Sequence, residues 1–310
     1  RSLLTGKTEK VSFNEIFNYS MPILISSFII FGVTQIDRIF ALLNLGLPDL
    51  GIYTIAIAAS TIGSYAPNAL ATAITPALAK FESLNKTDSF RSLSKLYTRY
   101  VSFIGIPAAF MIAALSLPLT ALFGDEYIAS SVPAAIISVS IGLTTFSSIY
   151  NSQLFVKGET RWIMIANITG LLSFVIIASI SQMVNNNITV IDLAIGRASM
   201  VIITAILISY KSSKFGDMKY DKKAITNSLI SSIIMASLLL ITYNLIFNSL
   251  ELITALIILI PSGIIMYMFM LRQLQTFNKQ DIEFITKILP KKSDRNINII
   301  KKILGIKNEQ

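Results

Sequence analysis

Long apolar stretches alternate with short polar connections along the whole chain. Eight stretches can be drawn, each of about 20 residues or more, which is the length that a helix needs to cross a membrane. None alternates between apolar and polar positions as a half-buried strand does, and helices satisfy their own backbone groups in lipid. The pattern predicts an all-α, polytopic transmembrane bundle with eight spans: Tyr19–Leu43, Gly51–Ala79, Tyr100–Phe123, Val132–Phe155, Trp162–Val184, Val190–Tyr210, Ala224–Phe247 and Leu252–Leu271.

Composition supports a membrane class and removes several kinds of chemistry. Of the 310 residues, 53% are hydrophobic and 14% are charged, which is outside the usual range of a soluble domain. The chain has no cysteine and no histidine. It therefore offers no thiol nucleophile, no imidazole base and no zinc site built on these residues. We expect no enzymatic activity, no metal and no cofactor.

Lysine and arginine lie almost entirely in alternate connections. All of the 26 basic residues except Arg38 and Arg197 precede the first span, follow the eighth, or separate spans two and three, four and five, or six and seven. The other connections contain neither residue type. This asymmetry follows the positive-inside rule, so we expect both termini on the cytoplasmic side of the cell membrane. The net charge of +9 is then explained by topology, and no nucleic-acid partner is expected.

Two basic residues lie inside the predicted spans, and each has an acidic residue before it. Asp37 precedes Arg38 in the first span, and Asp192 precedes Arg197 in the sixth. A guanidinium at hydrocarbon depth costs roughly 2.5–3.5 kcal/mol unless it faces protein or water. The predicted topology places both pairs toward the outer side at similar depth, so we expect them to face one polar cavity. The alternative is a structural ion pair that locks two helices together.

Asp37 and Arg38 point in different directions, because neighbours on a helix are about 100° apart. Gln35 lies three residues before Arg38 and shares its face. Asp37 is expected to meet a neighbouring helix or a bound cation instead. We therefore treat Asp37 and Asp192 as candidates for ion coupling or ion pairing.

Polar residues along other spans extend the candidate site. In Gly51–Ala79 they recur in steps of three or four, which places them on one helical face, and Pro67 and Pro76 interrupt the same span. Hydroxyl side chains alone favour simple helix–helix packing, whereas an amide is costlier to bury without a partner. The candidate cavity residues are Gln35, Arg38, Asn68, Asn151, Asn167 and Arg197.

The last two spans contain no charged residue, and their polar residues are mostly serine and threonine. We interpret them as peripheral helices beside a six-helix unit. The predicted organisation is a six-helix transmembrane bundle over residues 1–215, two additional transmembrane helices over 216–271, and a basic cytoplasmic tail over 272–310.

Several segments resemble the polysaccharide-exporting flippases of the multidrug/oligosaccharidyl-lipid/polysaccharide (MOP) superfamily. The order and spacing of these segments carry the resemblance, which covers about residues 11–215. They are Pro22, Ser26-Ser27 and Asp37-Arg38 in the first span, Gly51-Ile52-Tyr53 after a short turn, Pro76 to Lys80 in the form P-x-L-A-K, and Gln153 to Gly158 before the fifth span.

The resemblance implies both an architecture and a function. Proteins of this superfamily consist of two six-helix bundles, some with two further helices, so this chain is similar to the C-terminal bundle with the additional pair. We expect the N-terminal bundle of the same protein to be missing, in keeping with arginine rather than methionine at position 1. The implied substrate is a polyprenyl-(pyro)phosphate-linked saccharide, moved across the bilayer by alternating access. Arg38 and Arg197 would contact its phosphate groups.

Two other functions stay open. A multidrug or metabolite antiporter of the same superfamily would use Asp37 or Asp192 for coupling to a cation. A membrane glycosyltransferase or polymerase would normally carry a large loop with catalytic carboxylates, and the longest internal connection here has only about 20 residues.

Overall fold

Helices make up nearly all of the structure, a computed structural model that describes residues 31, 35–185, 187–216, 218–247, 251–278 and 281. These residues contain no strand. In order they form α1 (35–44), α2 (Leu47–Ser83), α3 (Thr87–Ala114), α4 (Ser116–Ala121), a 3-10 helix (Asp125–Ser130), α5 (Ser131–Thr144), α6 (Ser147–Val156), α7 (Thr160–Asn185), α8 (Val190–Ser213), α9 (Lys222–Thr242), a π-helical turn (Tyr243–Phe247) and α10 (Leu252–Gln273).

Six helical segments among the described residues are long and apolar enough to cross a membrane. They match the third to eighth predicted spans and comprise Thr87–Ala114, Asp125–Thr144, Thr160–Val184, Val190–Ser213, Lys222–Leu245 and Leu252–Gln273. The second predicted span lies within α2, a continuous helix of 37 residues. Most of the first span and of the basic tail lies outside the described residues. The all-α transmembrane class is confirmed, and the chain is a multi-pass membrane protein.

Two predicted spans are interrupted in the structure. The third breaks at Leu115, where α3 gives way to the short helix α4, and the fourth breaks between Thr144 and Ser147, where α5 gives way to α6. Pro107 lies inside α3, which is continuous from Thr87 to Ala114. Average hydropathy stays high across a one- or two-residue break, so the apolar pattern alone could not reveal these interruptions.

Gly105 marks the closest approach of the helices around the second break. A Cβ atom added there would lie 2.7 Å from Pro67 Cγ of α2 and would also collide with Thr145, between α5 and α6. Side-chain atoms do not normally come so close, so only glycine fits without a shift of its neighbours. The glycine lets α2, α3 and the α5–α6 junction pack together.

Three buried clusters form most of the described core. One joins α3, α9 and α10 around Phe110, Met235 and Leu259. A second lies toward the end of the bundle with the basic connections and includes Phe90 and Tyr97. The third joins α1, α2, α5, α7 and α8 and includes Tyr53, Ile137, Phe174 and Leu193. The candidate functional site adjoins this third cluster.

Arg99 corrects the prediction that residues 80–99 are a basic connection. Most of this stretch is helix α3, and Arg99 is only 4% exposed. Its guanidinium donates to both carboxylate oxygens of Asp281, at 2.8 and 2.5 Å, to Asp221 Oδ2 at 2.7 Å and to the Thr276 carbonyl at 2.6 Å. Since Asp221 precedes α9 and Asp281 follows α10, Arg99 anchors the last two helices to α3.

Candidate functional site

Three helices converge on the carboxylate of Asp37. Arg197 Nη1 of α8 forms a salt bridge with Asp37 Oδ2, and the Tyr53 hydroxyl of α2 donates to the same oxygen at 3.0 Å. The other oxygen accepts the Arg38 backbone N–H at 2.9 Å. Asp37 is 1% exposed and Tyr53 is fully buried. The carboxylate therefore ties α1, α2 and α8 together from a site that excludes solvent.

Helix boundaries explain why these residues meet. Asp37 lies seven residues before the end of α1 at position 44, Tyr53 lies six residues after the start of α2 at Leu47, and Arg197 lies seven residues after the start of α8 at Val190. At 1.5 Å per residue, each is about 10 Å from an end of its helix. The predicted convergence of charged residues on the first and sixth spans agrees with this geometry.

Arg38 points away from the carboxylate and is only half-buried. Its Nη1 donates to Gln35 Oε1 at 3.0 Å, one turn earlier on α1. Its Nε atom is buried and has no hydrogen-bond partner among the described residues. A buried guanidinium N–H without an acceptor costs free energy. Arg38 is therefore the side chain of this group that has no anionic partner among the described residues.

The charges of the group do not cancel. Asp37 contributes one negative charge, and Arg38 and Arg197 contribute two positive charges at neutral pH. Because Asp37 is bonded to Arg197, the excess positive charge belongs to Arg38. A single positive charge beside an amide, at a partly open position, can bind an anionic group.

Asp192 corrects the predicted pairing on the sixth span. It forms no ion pair with the described residues, Arg197 included. Its carboxylate accepts the Thr189 backbone N–H at 2.9 Å, the Thr189 hydroxyl at 2.7 Å and the Ser181 hydroxyl at 2.8 Å. Thr189 caps α8, and Asp192 completes a capping box. A carboxylate at a helix N-terminus is stabilised by the backbone N–H groups and the helix dipole, and these interactions account for its position.

The three predicted asparagines lie away from the charged group. Asn68 is 15 residues beyond Tyr53 on α2, which is about 22 Å along the helix, and its side chain is exposed. Asn151 of α6 is exposed as well. Asn167 of α7 donates to the Ile163 carbonyl one turn earlier, at 3.0 Å. The structure thus brings together Gln35, Asp37, Arg38 and Arg197, and leaves Asn68, Asn151 and Asn167 outside that group.

A second polar network joins α2, α3 and α6 beyond the charged group. The Tyr97 hydroxyl donates to the Pro67 carbonyl at 3.1 Å and is bonded to Ser148. Thr75 donates to Ser152 at 2.9 Å. These contacts agree with the interpretation of the hydroxyl groups as helix–helix contacts. Tyr53 was missed as a polar partner because a tyrosine in an apolar run reads as hydrophobic, and Tyr97 was missed because it lies in a stretch predicted to be a basic connection.

A comparison with known proteins gives a match over residues 4–132, which include α1, α2, α3 and both Asp37 and Arg38 of the charged group. These residues match the family model of polysaccharide biosynthesis proteins. The match confirms the resemblance drawn from the sequence. A search of the curated proteins finds none that matches this chain. The chain is thus a multi-pass membrane protein whose residues 4–132 are similar to polysaccharide biosynthesis proteins.

Proposed function

We propose that this chain is one bundle of a flippase that exports polyprenyl-(pyro)phosphate-linked oligosaccharides or polysaccharide repeat units across the cell membrane. The family match supports a membrane protein connected with polysaccharides. The observation that carries the proposal is that the two arginines have different partners. Arg197 is held by Asp37, whereas the buried Nε atom of Arg38 has no partner in the part of the chain that the structure describes. Arg38 is the group that contacts the phosphate of the substrate.

The chemistry of arginine suits this role. Its planar guanidinium presents several N–H groups that match the oxygens of a phosphate, and it stays protonated at any physiological pH. Gln35 holds Nη1 of Arg38, so the remaining N–H groups are oriented before the substrate arrives. Asp37, Tyr53 and Arg197 position α1 against α2 and α8 and do not contact the substrate in this scheme.

A second bundle is expected to cover the polar face of α2. Tyr65 is 65% exposed, and Asn68 and Thr72 are exposed on the same helix. Exposed amides and hydroxyls are unfavourable against lipid, so protein or a water-filled cavity is expected there. The N-terminal bundle of the same protein is the partner that we propose. Alternating access needs two halves that move against each other, so this bundle alone is not expected to transport.

The cation-coupled antiporter is less well supported. It requires a carboxylate that can bind a cation during transport. Asp37 is already bonded to Arg197 and Tyr53, and Asp192 is bonded within the cap of α8. A cation would have to displace these internal partners.

Replacing Arg38 tests the proposal in cells whose surface polysaccharide depends on this protein. Arg38→Ala is expected to lower export about 10- to 100-fold, since a hydrogen bond to a charged group is worth about 1.5–3 kcal/mol. Lipid-linked precursor should accumulate. Arg38→Lys should restore export only in part, because it keeps the charge but not the fork of donors.

Arg161→Ala is the matched control, since Arg161 is an exposed arginine at the start of α7. Export should be unchanged in that variant. Normal export by Arg38→Ala at normal abundance would contradict the proposed role of Arg38.

A further inference from the structure

A cavity of about 510 Å³ lies between the α5–α6 junction and α8, apart from the charged group. Its size is within the range of small-molecule sites. Most of the lining is apolar or aromatic, and the polar groups are hydroxyls. The side chains that line it include Leu143, Phe146 and Tyr150 on one side, Ile202, Ala205, Ile206 and Ser209 on α8, and Tyr210, Ser213 and Tyr220 nearer the basic end.

The length of the cavity along α8 is about the thickness of one membrane leaflet. From Ile202 to Ser213 is 11 residues of α8, or about 16 Å at 1.5 Å per residue. The hydrocarbon core of a membrane is about 30 Å thick, so each leaflet contributes about 15 Å. Ile206 is 60% exposed and Tyr210 is 55% exposed, so the cavity is open along its side. These dimensions fit a hydrocarbon chain that enters from the leaflet on the basic side.

The basic end of the cavity carries aromatic and cationic groups. The rings of Tyr150 and Tyr220 meet edge to face, with centroids 5.7 Å apart. Lys214 lies over the ring of Tyr210, with its Nζ 4.5 Å from the centroid, and Lys219 directly precedes Tyr220. Neither lysine forms an ion pair with the residues that the structure describes. Basic pockets between transmembrane helices on the cytoplasmic side favour anionic lipid head groups.

The position of the cavity around α8 separates it from the substrate site. At 100° per residue, Ile202, Ala205 and Ile206 point between about 80° and 180° away from Arg197. A substrate bound at Arg38 would face a different side of this helix. The cavity is therefore a separate site, and its occupant need not be the transported lipid.

We propose that this cavity binds one anionic phospholipid from the leaflet on the basic side. An acyl chain occupies the space between α5, α6 and α8. The phosphate of the head group lies near Lys214 and Lys219, where it neutralises two charges that have no carboxylate partner among the described residues. The proposal does not depend on the transported substrate.

Lipid titration of the purified full chain, followed by native mass spectrometry, tests this site with phosphatidylglycerol and phosphatidylcholine as the probes. We expect one tightly retained phosphatidylglycerol and no comparable retention of phosphatidylcholine. Lys214→Gln should weaken phosphatidylglycerol binding about fivefold, since each basic residue near an anionic surface contributes about that factor. Ala205→Phe should weaken it about tenfold by excluding about two methylene groups from the cavity.

Two further variants separate a filled cavity from misfolding and from an unspecific effect of an added aromatic ring. Ser209→Phe fills the same cavity from a less buried position and should reproduce the loss if Ala205→Phe fails to fold. Ile176→Phe adds a ring on the exposed side of α7, where Ile176 is 57% exposed, and should leave binding unchanged. Equal retention of the two lipids, unchanged binding in a folded cavity variant, or an equal loss in Ile176→Phe would each overturn the proposal. So would recovery of a polyprenyl phosphate as the retained lipid.

Discussion

At the scale of single residues, Arg38 and Arg197 differ although both are arginines inside predicted spans. Arg197 forms a buried group with Asp37 and Tyr53, and this group fixes the position of α8 against α1. Arg38 is bonded to Gln35, and its Nε–H has no acceptor among the residues that the structure describes. Of the two alternatives raised by the sequence, the structural ion pair is present at Arg197, and the polar cavity stays a prediction for Arg38.

Loss of Arg197 should destabilise the bundle. Arg197→Ala leaves the buried Asp37 carboxylate without its cation, and breaking a buried ion pair by removing one partner typically costs about 3–5 kcal/mol. The double variant Asp37→Asn with Arg197→Gln removes both charges and should recover most of that stability. Thermal unfolding in detergent measures both. Equal stability of Arg197→Ala and the unmodified protein would show that the pair does not hold these helices.

The Arg99 anchor within α3 should matter in the same way. Arg99→Ala leaves Asp221 and Asp281 buried at 8% and 2% exposure without their shared cation, and we expect a loss of about 3–5 kcal/mol. Lys95→Ala removes an exposed charge one turn earlier and should change stability by less than about 0.5 kcal/mol. Chemical unfolding compares the two variants. A small effect of Arg99→Ala would mean that apolar packing alone holds α9 and α10.

Sequence reasoning could predict some of these contacts and not others. Asp37 was expected to meet a neighbouring helix because it points about 100° away from Arg38. The partner of Asp37 could not be predicted from the sequence. Whether Arg197 pairs with Asp192 or with Asp37 depends on whether Asp192 is already bonded in the N-terminal cap of α8. Arg99 looked like a connection residue because it follows other basic residues, and its carboxylate partners lie more than 100 positions later.

At the scale of helices, apolar length predicted the membrane-spanning elements well. The third to eighth predicted spans each overlap a candidate membrane-spanning helix, and the helices that match the third and fourth spans begin and end earlier than predicted. The interruptions at Leu115 and at Thr145–Phe146 escaped notice because they replace no apolar residue with a charged one. Helix ends of this kind are decided by packing, as the contact of Gly105 with Pro67 illustrates.

Gly105 offers a direct test of that packing. Gly105→Ala places a methyl group 2.7 Å from Pro67 Cγ, and overpacking of this kind typically costs about 1–3 kcal/mol. Gly51→Ala is the control, because its added methyl group meets only Tyr127 at an ordinary 3.6 Å and alanine favours a helix. The thermal midpoint of the first variant should fall, and that of the second should stay or rise. A stable Gly105→Ala would show that α2 and α3 can move apart at little cost.

At the scale of the whole molecule, the distribution of basic residues predicts the orientation in the membrane. The chain has no cysteine, so single cysteines report their own accessibility. Cysteines at Asp49, Glu126 and Asn187 should react with an impermeant thiol reagent on intact cells, whereas cysteines at Ser89 and Ser213 should react only after lysis. Labelling of the cysteines at Ser89 and Ser213 on intact cells would contradict the predicted topology.

The central claim is that Arg38 contacts the phosphate of a lipid-linked saccharide while it crosses the membrane. The most direct measurement follows the leaflet position of a polyprenyl-diphosphate-linked oligosaccharide in vesicles that contain the protein isolated from its native membranes, with an impermeant lectin as the reporter. We predict that lectin-accessible saccharide appears faster than in empty vesicles, and that Arg38→Ala slows this about tenfold or more while Arg161→Ala does not. Transfer by Arg38→Ala at the unmodified rate, or no transfer above that of empty vesicles by the unmodified protein, would contradict the account.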